Sequence, residues 1–182
     1  MFTGFEFMGC HDLHVPAAIL RHVVKVESAH NPFAIGVVGG QLERQPRNLA
    51  EALATTRALD EGGYDYSVGL AQVNRRNFHA YGLDTPEKAF DTCHNLRAGS
   101  HILHACYQRA QKHWDKAFSC YYSGNFTAGF RDGYVQRVYA AMGMAPPDAA
   151  PPPFVPVIAG QPPDDTVSDA PAAGERDPAL VF

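Results

Sequence analysis

The sequence lacks a long apolar run. None of its hydrophobic stretches approaches the roughly 20 residues that a membrane-spanning helix needs, so we expect no membrane span. The first ten residues also lack the basic start and the apolar stretch of a signal peptide. This pattern predicts either that the chain stays inside the cell or that the sequence omits a leader.

Excess positive charge and cofactor motifs are missing as well. The 15 Lys and Arg face 19 Asp and Glu, and six of these acids lie with one Arg in residues 145–182, so the remainder is close to neutral. Such a chain offers no strong field to attract nucleic acid, and we expect no nucleic-acid partner. It has no Gly-rich phosphate loop, and the spacing of its four Cys matches no zinc motif. We therefore expect no cofactor and no bound metal.

Residues 145–182 also differ from the rest in composition. They hold ten of the 14 Pro and show no periodic apolar pattern, which is typical of a disordered or polyproline-like segment. The sequence predicts a folded domain over residues 1–144 and a Pro-rich, acidic, disordered tail over residues 145–182. The tail is interpreted as a linker or frayed end, with docking to a partner as the alternative.

Glu27 stands at the end of an apolar helical stripe. Leu20, Val23 and Val24 precede it by seven, four and three residues, so all four side chains share one helix face. Burial raises the pKa of a carboxyl group, as a general acid working near neutral pH requires. Residues 28–32 predict that the helix ends at once, which would place Glu27 at the mouth of a cleft. Periodicity alone fits equally well a helix-end carboxylate paired with an Arg or a backbone N–H.

Helical periodicity dominates the first 144 residues, so the predicted fold class is mainly α (α+β). Helices are predicted over about residues 15–28, from a cap at residue 48 to residue 62, in a short segment from residue 85, and over about residues 94–112, 115–122 and 130–142. Gly99 suggests that a neighbour packs closely against the long helix. Residues 35–42 predict a small hairpin turning at Gly39-Gly40, and residues 66–74 predict an extended return.

Four groups of residues, in this order, resemble the motifs of lytic transglycosylases. The pattern is most similar to the VirB1-like group associated with type IV secretion and conjugation, and the long insert between the first two motifs suits that group. The resemblance covers about residues 10–142. The motifs are Glu27-Ser28 with Asn31-Pro32 and Ala34, then Gly69 to Asn74, then Tyr121 to Asn125, then Gly133 to Val135.

This resemblance implies a lysozyme-like fold with a small β-hairpin beside the cleft, and peptidoglycan glycan strands as substrate. The family cuts the β-1,4 bond between N-acetylmuramic acid and N-acetylglucosamine with a single carboxylate. By analogy, Glu27 protonates the leaving oxygen and then takes the proton of the muramic acid 6-hydroxyl, which closes into a 1,6-anhydro end. The other acids near the motifs, Asp65, Asp91 and Asp132, lie in polar settings typical of solvated surface groups.

The resemblance assigns four further residues to substrate binding. Gln72 and Asn74 would contact acetamido and hydroxyl groups of the sugar, with pairing to nearby backbone as the alternative. Tyr121 matches the tyrosine that holds the catalytic carboxylate, and Tyr134 matches a second cleft tyrosine. Both also fit as core tyrosines.

Three positions depart from the family pattern. Relatives commonly carry Asn where this chain has Tyr122, Met where it has Ala71, and Ser where it has Gly36. These departures concern substrate contacts and leave the implied reaction unchanged.

The four cysteines can pair within the predicted helices. Antiparallel packing of two helices would bring Cys106 and Cys120 together, and Cys10 and Cys93 would form a second pair. A periplasmic enzyme could keep both bridges. Four reduced, buried thiols are the alternative, and a zinc site with nearby His is poorly supported by the spacing.

The main hypothesis is thus a periplasmic, monomeric lytic transglycosylase that opens the cell wall for a type IV secretion or conjugation apparatus, whose components the tail would contact. A hydrolytic muramidase of the same fold is one alternative. A non-catalytic peptidoglycan-binding module is the other, although binding alone gives no reason to bury an acid.

Overall fold

Helices make up most of the part of the chain described by the computed structural model, residues 9–146. The predicted fold class, mainly α with a small antiparallel sheet, is confirmed. The predicted tail beyond residue 146 lies outside the described residues. The elements are α1 (Ala17–Ser28), β1 (Ile35–Val37), α2 (Leu49–Glu61), β2 (Tyr66–Val68), β3 (Val73–Asn74), two 3-10 helices (Arg75–Asn77 and His79–Tyr81), α3 (Pro86–Phe90), α4 (Thr92–Arg109), α5 (Trp114–Ser123), α6 (Ala128–Arg131) and α7 (Tyr134–Ala141).

Side-chain caps set where several helices begin. The Asn48 side chain accepts a hydrogen bond from the backbone N–H of Glu51, as the sequence predicted for α2. Thr85 caps α3 in the same way. Asp91 accepts from the N–H of His94, so α4 begins two residues before its predicted start. Among helices of the described residues, none is long and apolar enough to cross a membrane.

The last predicted helix is in fact two helices. Residues 130–142 were expected to form one element, but Gly133 has φ +73° and separates α6 from α7. A left-handed residue breaks the run of helical hydrogen bonds, and glycine adopts this conformation without steric cost. The break lets α7 start at Tyr134 in a new direction.

The sheet also differs from the predicted hairpin. β1 pairs with β2, antiparallel, with Ile35 opposite Val68, and β2 pairs with β3. The predicted pairing within residues 35–42 is therefore wrong, because β1 finds its partner beyond α2. The outer edge of β1 is covered by a side chain: the Gln45 carboxamide accepts from the Ile35 N–H at 2.8 Å and donates to its carbonyl at 2.9 Å.

Two apolar clusters form the core. One lies among α1, α4, α5 and α7 and includes Leu20, Leu103 and Phe118. The other lies beneath the sheet, against α2 and α3, and includes Val68 and Phe90. Burial of these side chains is the main favourable contribution to folding.

Asn95 is a buried polar side chain on α4 that ties neighbouring segments together. It has no exposed surface, and its amide nitrogen donates to the carbonyls of Val68 and Ala89 at 2.9 and 2.8 Å. Its oxygen accepts from the N–H of Ala71 at 2.8 Å. Gly69 allows this approach, because a Cβ there would lie 2.4 Å from the Asn95 amide nitrogen. Asn95 thus fixes the loop between β2 and β3 to α4 and to the end of α3.

Both predicted cysteine pairs are disulfides. Cys10 is bonded to Cys93, which attaches the start of the described chain to α4. Cys106 is bonded to Cys120 and joins α4 to α5. The alternatives of reduced thiols and of a zinc site on these cysteines are therefore wrong.

We predict that Asn95→Ala is strongly destabilising, because it leaves three buried backbone groups without partners. An unsatisfied buried group costs roughly 1–3 kcal/mol, so the expected loss in free energy of unfolding is at least about 3 kcal/mol. Urea denaturation measures it. Gln108→Ala, on the exposed face of the same helix, is the control and should change stability by less than about 0.5 kcal/mol. Equal effects of the two substitutions would contradict this role of Asn95.

Candidate active site

A cleft of about 330 Å³ lies between the sheet and the helices α1, α4 and α5. Of the predicted site residues, it brings together Glu27, Gln72, Asn74 and Tyr121. Tyr134 is buried and does not line the cleft, but its hydroxyl contacts Glu27. All five residues are therefore in the cleft or in direct contact with a residue that lines it.

Glu27 occupies the last turn of α1, as the apolar stripe predicted. Leu20, Val23 and Val24 are fully buried, whereas Glu27 keeps part of its surface open to the cleft. The helix ends at Ser28, as predicted, because Ala29 already adopts a left-handed conformation with φ 49°. The neighbouring Ser28 hydroxyl donates to the carbonyl of Leu70 at 2.8 Å, which fixes this end of α1 against the β2–β3 loop.

The Glu27 carboxyl group has an elevated proton affinity. Burial raises its pKa from the ordinary 4.5 to about 7, and this is the largest influence. The Tyr134 hydroxyl donates to Oε1 at 2.5 Å, and the positive charge of Arg137 acts from the same helix, so both lower the pKa in part. A carboxyl group with this pKa can give up a proton and recover it near neutral pH.

The two site tyrosines have roles different from those expected. Tyr121 was expected to orient Glu27, but its hydroxyl donates to the carbonyl of Ala71 at 2.6 Å. Tyr134 is the tyrosine that contacts the carboxyl group. Tyr121 still lies within the field of Glu27, since burial and then the Glu27 charge raise the pKa of its phenol.

Close packing behind Tyr121 explains Gly99. A Cβ at Gly99 would lie 2.3 Å from the Cβ of Ala71 and 3.0 Å from the Tyr121 hydroxyl. The sequence predicted a close neighbour at this glycine, and the neighbours are those two residues. Gly99 thereby lets the loop approach α4 and lets the Tyr121 hydroxyl reach the carbonyl of Ala71.

Gln72 presents mainly its carboxamide oxygen to the cleft. Its amide nitrogen donates to the carbonyls of Ala34 and Gly69 at 3.0 and 2.9 Å, so both N–H groups are occupied by backbone. The oxygen lies over Gly36, where a Cβ would stand only 2.7 Å away. A Ser at position 36 would require the Gln72 carboxamide to turn, which gives a physical account of this departure from the family pattern.

Asn74 is also occupied by protein contacts. Its amide nitrogen donates to the Asp65 carboxylate at 3.1 Å, and its oxygen accepts from the N–H of Arg76 at 3.0 Å, capping a 3-10 helix. Asp65 in turn pairs with the Arg76 guanidinium at 2.7 Å. Asn74 lines the cleft wall, but the structure gives its amide a structural task.

The other acidic residues near the motifs have partners of their own. Asp65 is paired as described, Asp91 caps α4, and Asp132 pairs with Arg131 at 2.7 Å. Among the described residues that line the cleft, Glu27 is the only carboxylate. Within residues 9–146, no group of His, Cys, Asp and Glu side chains is arranged to hold a metal ion.

The sequence did not predict the contacts of two residues that are important for the site. Asn95 positions the loop that carries Ala71, and Tyr122 stacks on Tyr134. Asn95 could have been found by the same signal as Glu27, because it lies on the buried stripe of α4, four residues before Gly99. Tyr122 offered no comparable signal, since its partner is 12 positions away on another helix.

Comparison with known proteins identifies the family. The family model of the transglycosylase SLT domain matches residues 9–139. The chain belongs to this family. The match covers all five predicted site residues and nearly all of residues 9–146, which the structure describes. No solved structure matches the chain.

Several relatives of this SLT domain carry names from type IV secretion. The chain is 45% identical over 170 residues to the type IV secretion system protein virB1 of Brucella suis biovar 1, covering 86% of this chain and 69% of that protein. It is 50% identical over 132 residues to the protein of that name from Brucella abortus biovar 1, covering 65% of this chain and 55% of that protein. Protein virB1 of Rhizobium radiobacter is 34% identical over 147 residues, which cover 76% of this chain and 60% of that protein. The chain therefore spans only part of the length of these relatives.

We predict that Glu27→Gln stabilises the SLT domain at high pH. The folded-state pKa of about 7 exceeds the ordinary value of 4.5, so the folded state binds this proton more tightly, and the resulting stability is lost as pH rises from 4.5 through 7. Gln keeps the acceptor for Tyr134 without a charge. Relative to wild type, the variant should gain up to about 3 kcal/mol between pH 4.5 and pH 8.

Urea denaturation at both pH values checks this prediction. Glu87→Gln, which removes an exposed carboxylate from α3, is the matched control and should show no such gain. A difference between Glu27→Gln and wild type that stays constant with pH would contradict the elevated pKa.

Proposed function

We propose that this protein is a peptidoglycan lytic transglycosylase with Glu27 as its single catalytic acid and base. The observation that carries the proposal is a carboxyl group with a pKa of about 7, open to a cleft whose other described lining residues include no carboxylate. Membership of the transglycosylase SLT domain family supports the reaction class. The substrate is the β-1,4 bond between N-acetylmuramic acid and N-acetylglucosamine.

In the first step Glu27 acts as an acid. Its carboxyl group gives a proton to the glycosidic oxygen as the bond from that oxygen to the muramic acid C1 breaks. The substrate's own N-acetyl group stabilises the positive charge that develops at C1. Burial serves this step, because it keeps the proton on Glu27 near neutral pH, so that the proton is available when the glycosidic bond breaks.

In the second step Glu27 acts as a base. The carboxylate takes the proton of the muramic acid 6-hydroxyl, whose oxygen forms a bond to C1 and leaves a 1,6-anhydro end. Tyr134 and Arg137 both favour the carboxylate form, so they stabilise Glu27 between the two steps. The proton returns to Glu27, and no water is consumed.

The cleft residues would hold the glycan in place for these steps. Because the Gln72 amide hydrogens are occupied, its oxygen is the group available to accept from an acetamido N–H. Asn74 shapes the cleft wall through its contacts with Asp65 and Arg76. This is a less direct role than the sugar contact predicted for it. Tyr121 supports the floor by fixing the carbonyl of Ala71.

We further propose that the enzyme acts in the periplasm and opens the wall for a type IV secretion or conjugation apparatus. The name of the two Brucella relatives, type IV secretion system protein virB1, supports this setting. Two disulfides within the described residues also fit an oxidising compartment. That the protein acts as a monomer, and that its tail contacts secretion components, remain predictions from the sequence.

Substitution of Glu27 tests the enzymatic role. Glu27→Gln keeps the size and the Tyr134 contact but has no proton to give, so turnover of purified sacculi should fall by about 10³-fold or more. Release of soluble muropeptides measures turnover. Asp84→Asn, an exposed carboxylate that does not line the cleft, is the matched control and should keep wild-type turnover. Undiminished wall digestion by Glu27→Gln would refute the assignment.

Mass spectrometry of the products separates the two possible reactions. A lytic transglycosylase releases 1,6-anhydromuramic ends, whereas a hydrolytic muramidase releases reducing ends that carry the mass of one more water. Reducing ends alone would overturn the lyase proposal while leaving Glu27 as the acid. Binding of glycan without any product from the wild-type protein would identify a binding module instead.

A further inference from the structure

Tyr122 is a partly exposed aromatic residue at the cleft with no assigned role. Its side chain lines the cleft and its exposed fraction is 43%. Its ring stacks on that of Tyr134, with the ring centres 4.8 Å apart and the planes inclined by 20°. Tyr134 itself is only 2% exposed and does not line the cleft. Tyr122 therefore covers Tyr134 on a side that faces the cleft.

The hydroxyl of Tyr122 makes a weaker contact at the far end of the ring. Its hydroxyl donates to Oδ2 of Asp132 at 3.5 Å, a long contact. Asp132 is held by Arg131 at 2.7 and 3.1 Å, and the pKa of its carboxyl group is lowered chiefly by that hydrogen bond, so it remains charged. The Tyr122 ring is thus restrained mainly by the stack on Tyr134, and the long contact to Asp132 adds little.

The stacked partner is the residue that contacts Glu27. The Tyr134 hydroxyl donates to the Glu27 carboxyl group at 2.5 Å. The Arg137 guanidinium lies 5.7 Å from the centre of the Tyr134 ring, so this ring is contacted from α5 by Tyr122 and from α7 by Arg137. Displacement of Tyr134 would change the surroundings of Glu27 directly.

We propose that Tyr122 is a positioning residue that holds Tyr134 against Glu27 and keeps cleft water away from this contact. The proposal rests on the proposed function only in taking Glu27 as the reacting acid. Aromatic pairs in this arrangement are stabilised beyond the effect of the area they bury, so the stack restrains the Tyr134 side chain.

The direction of the expected change follows from the groups around Glu27. Burial is the largest influence on its pKa and raises it, whereas Tyr134 and Arg137, both on α7, lower it. From α5, Tyr121 interacts with the Glu27 charge, and the Asp132–Arg131 pair lies beyond Tyr122. Removing the Tyr122 ring admits water, which stabilises the carboxylate. Because burial dominates, the pKa of Glu27 should fall.

NMR titration of the Glu27 carboxyl carbon in the free protein tests the proposal. With ¹³C-labelled Glu, and with Glu27→Gln to assign the signal, Tyr122→Ala should lower the midpoint by about one pH unit. Tyr122→Phe keeps the ring and should leave the midpoint unchanged. Tyr64→Ala, which removes an exposed tyrosine (55%) that does not line the cleft, is the matched control and should also leave it unchanged. An unchanged midpoint in Tyr122→Ala would overturn the proposal.

Kinetics on solubilised glycan strands provide a second readout. A positioning role predicts that Tyr122→Ala lowers kcat at least about tenfold with little change in KM, and that the high-pH limb of the activity profile moves to lower pH. A raised KM with an unchanged profile would overturn the proposal in favour of a sugar platform. If Tyr122→Ala does not fold, Tyr122→Leu replaces it, with a smaller shift in the same direction expected. Since the titration needs no turnover, it stays informative even if the proposed reaction is wrong.

Discussion

Burial of one carboxyl group at the end of α1 is the constraint on which the cleft depends. The pKa of Glu27 is raised to about 7, because burial outweighs the contacts from Tyr134 and Arg137, which lower it. Without the apolar surroundings, these two contacts would favour an ordinary carboxylate that holds no proton near neutral pH. Without the contacts, no group would orient the carboxyl group or stabilise its charged form. The site therefore needs the apolar face of α1 and the polar groups of α7 in a fixed relation.

The loop between β2 and β3 fixes the opposite wall of the cleft, and three helices hold it. From α1 the Ser28 hydroxyl donates to the carbonyl of Leu70, and from α5 the Tyr121 hydroxyl donates to that of Ala71. From α4 the Asn95 oxygen accepts from the N–H of Ala71. Each of these side chains satisfies a buried backbone group of the loop, so the loop cannot move without breaking hydrogen bonds that are costly to lose. The cleft-lining residues that follow in the chain, Gln72 to Asn74, are held in place by the same contacts.

Local patterns in the sequence predicted the features that depend on residues close together in the chain. The apolar stripe located Glu27 on α1, the Asn48 cap located α2, and the helix positions of Cys106 and Cys120 indicated their bridge. Pairings through space were harder to predict. Gly39-Gly40 indicated a hairpin, yet β1 pairs with β2, which follows α2 in the chain. A local turn signal does not determine which strand forms backbone hydrogen bonds with which. Likewise the spacing of two tyrosines could not show which hydroxyl reaches Glu27.

Two of the departures from the family pattern, at positions 71 and 36, are each explained by a contact within the cleft wall. Ala71 is fully buried and its Cβ faces Gly99, so position 71 serves the packing of the loop on α4 and leaves no side chain to lie beneath a sugar. Gly36 leaves room for the Gln72 oxygen, whose carboxamide would otherwise have to leave its backbone partners. Changing either position alone to the residue common in relatives would disturb its partner. At both positions a contact within the cleft wall, of Ala71 with Gly99 and of Gly36 with Gln72, thus limits the size of the side chain that fits beside the buried acid.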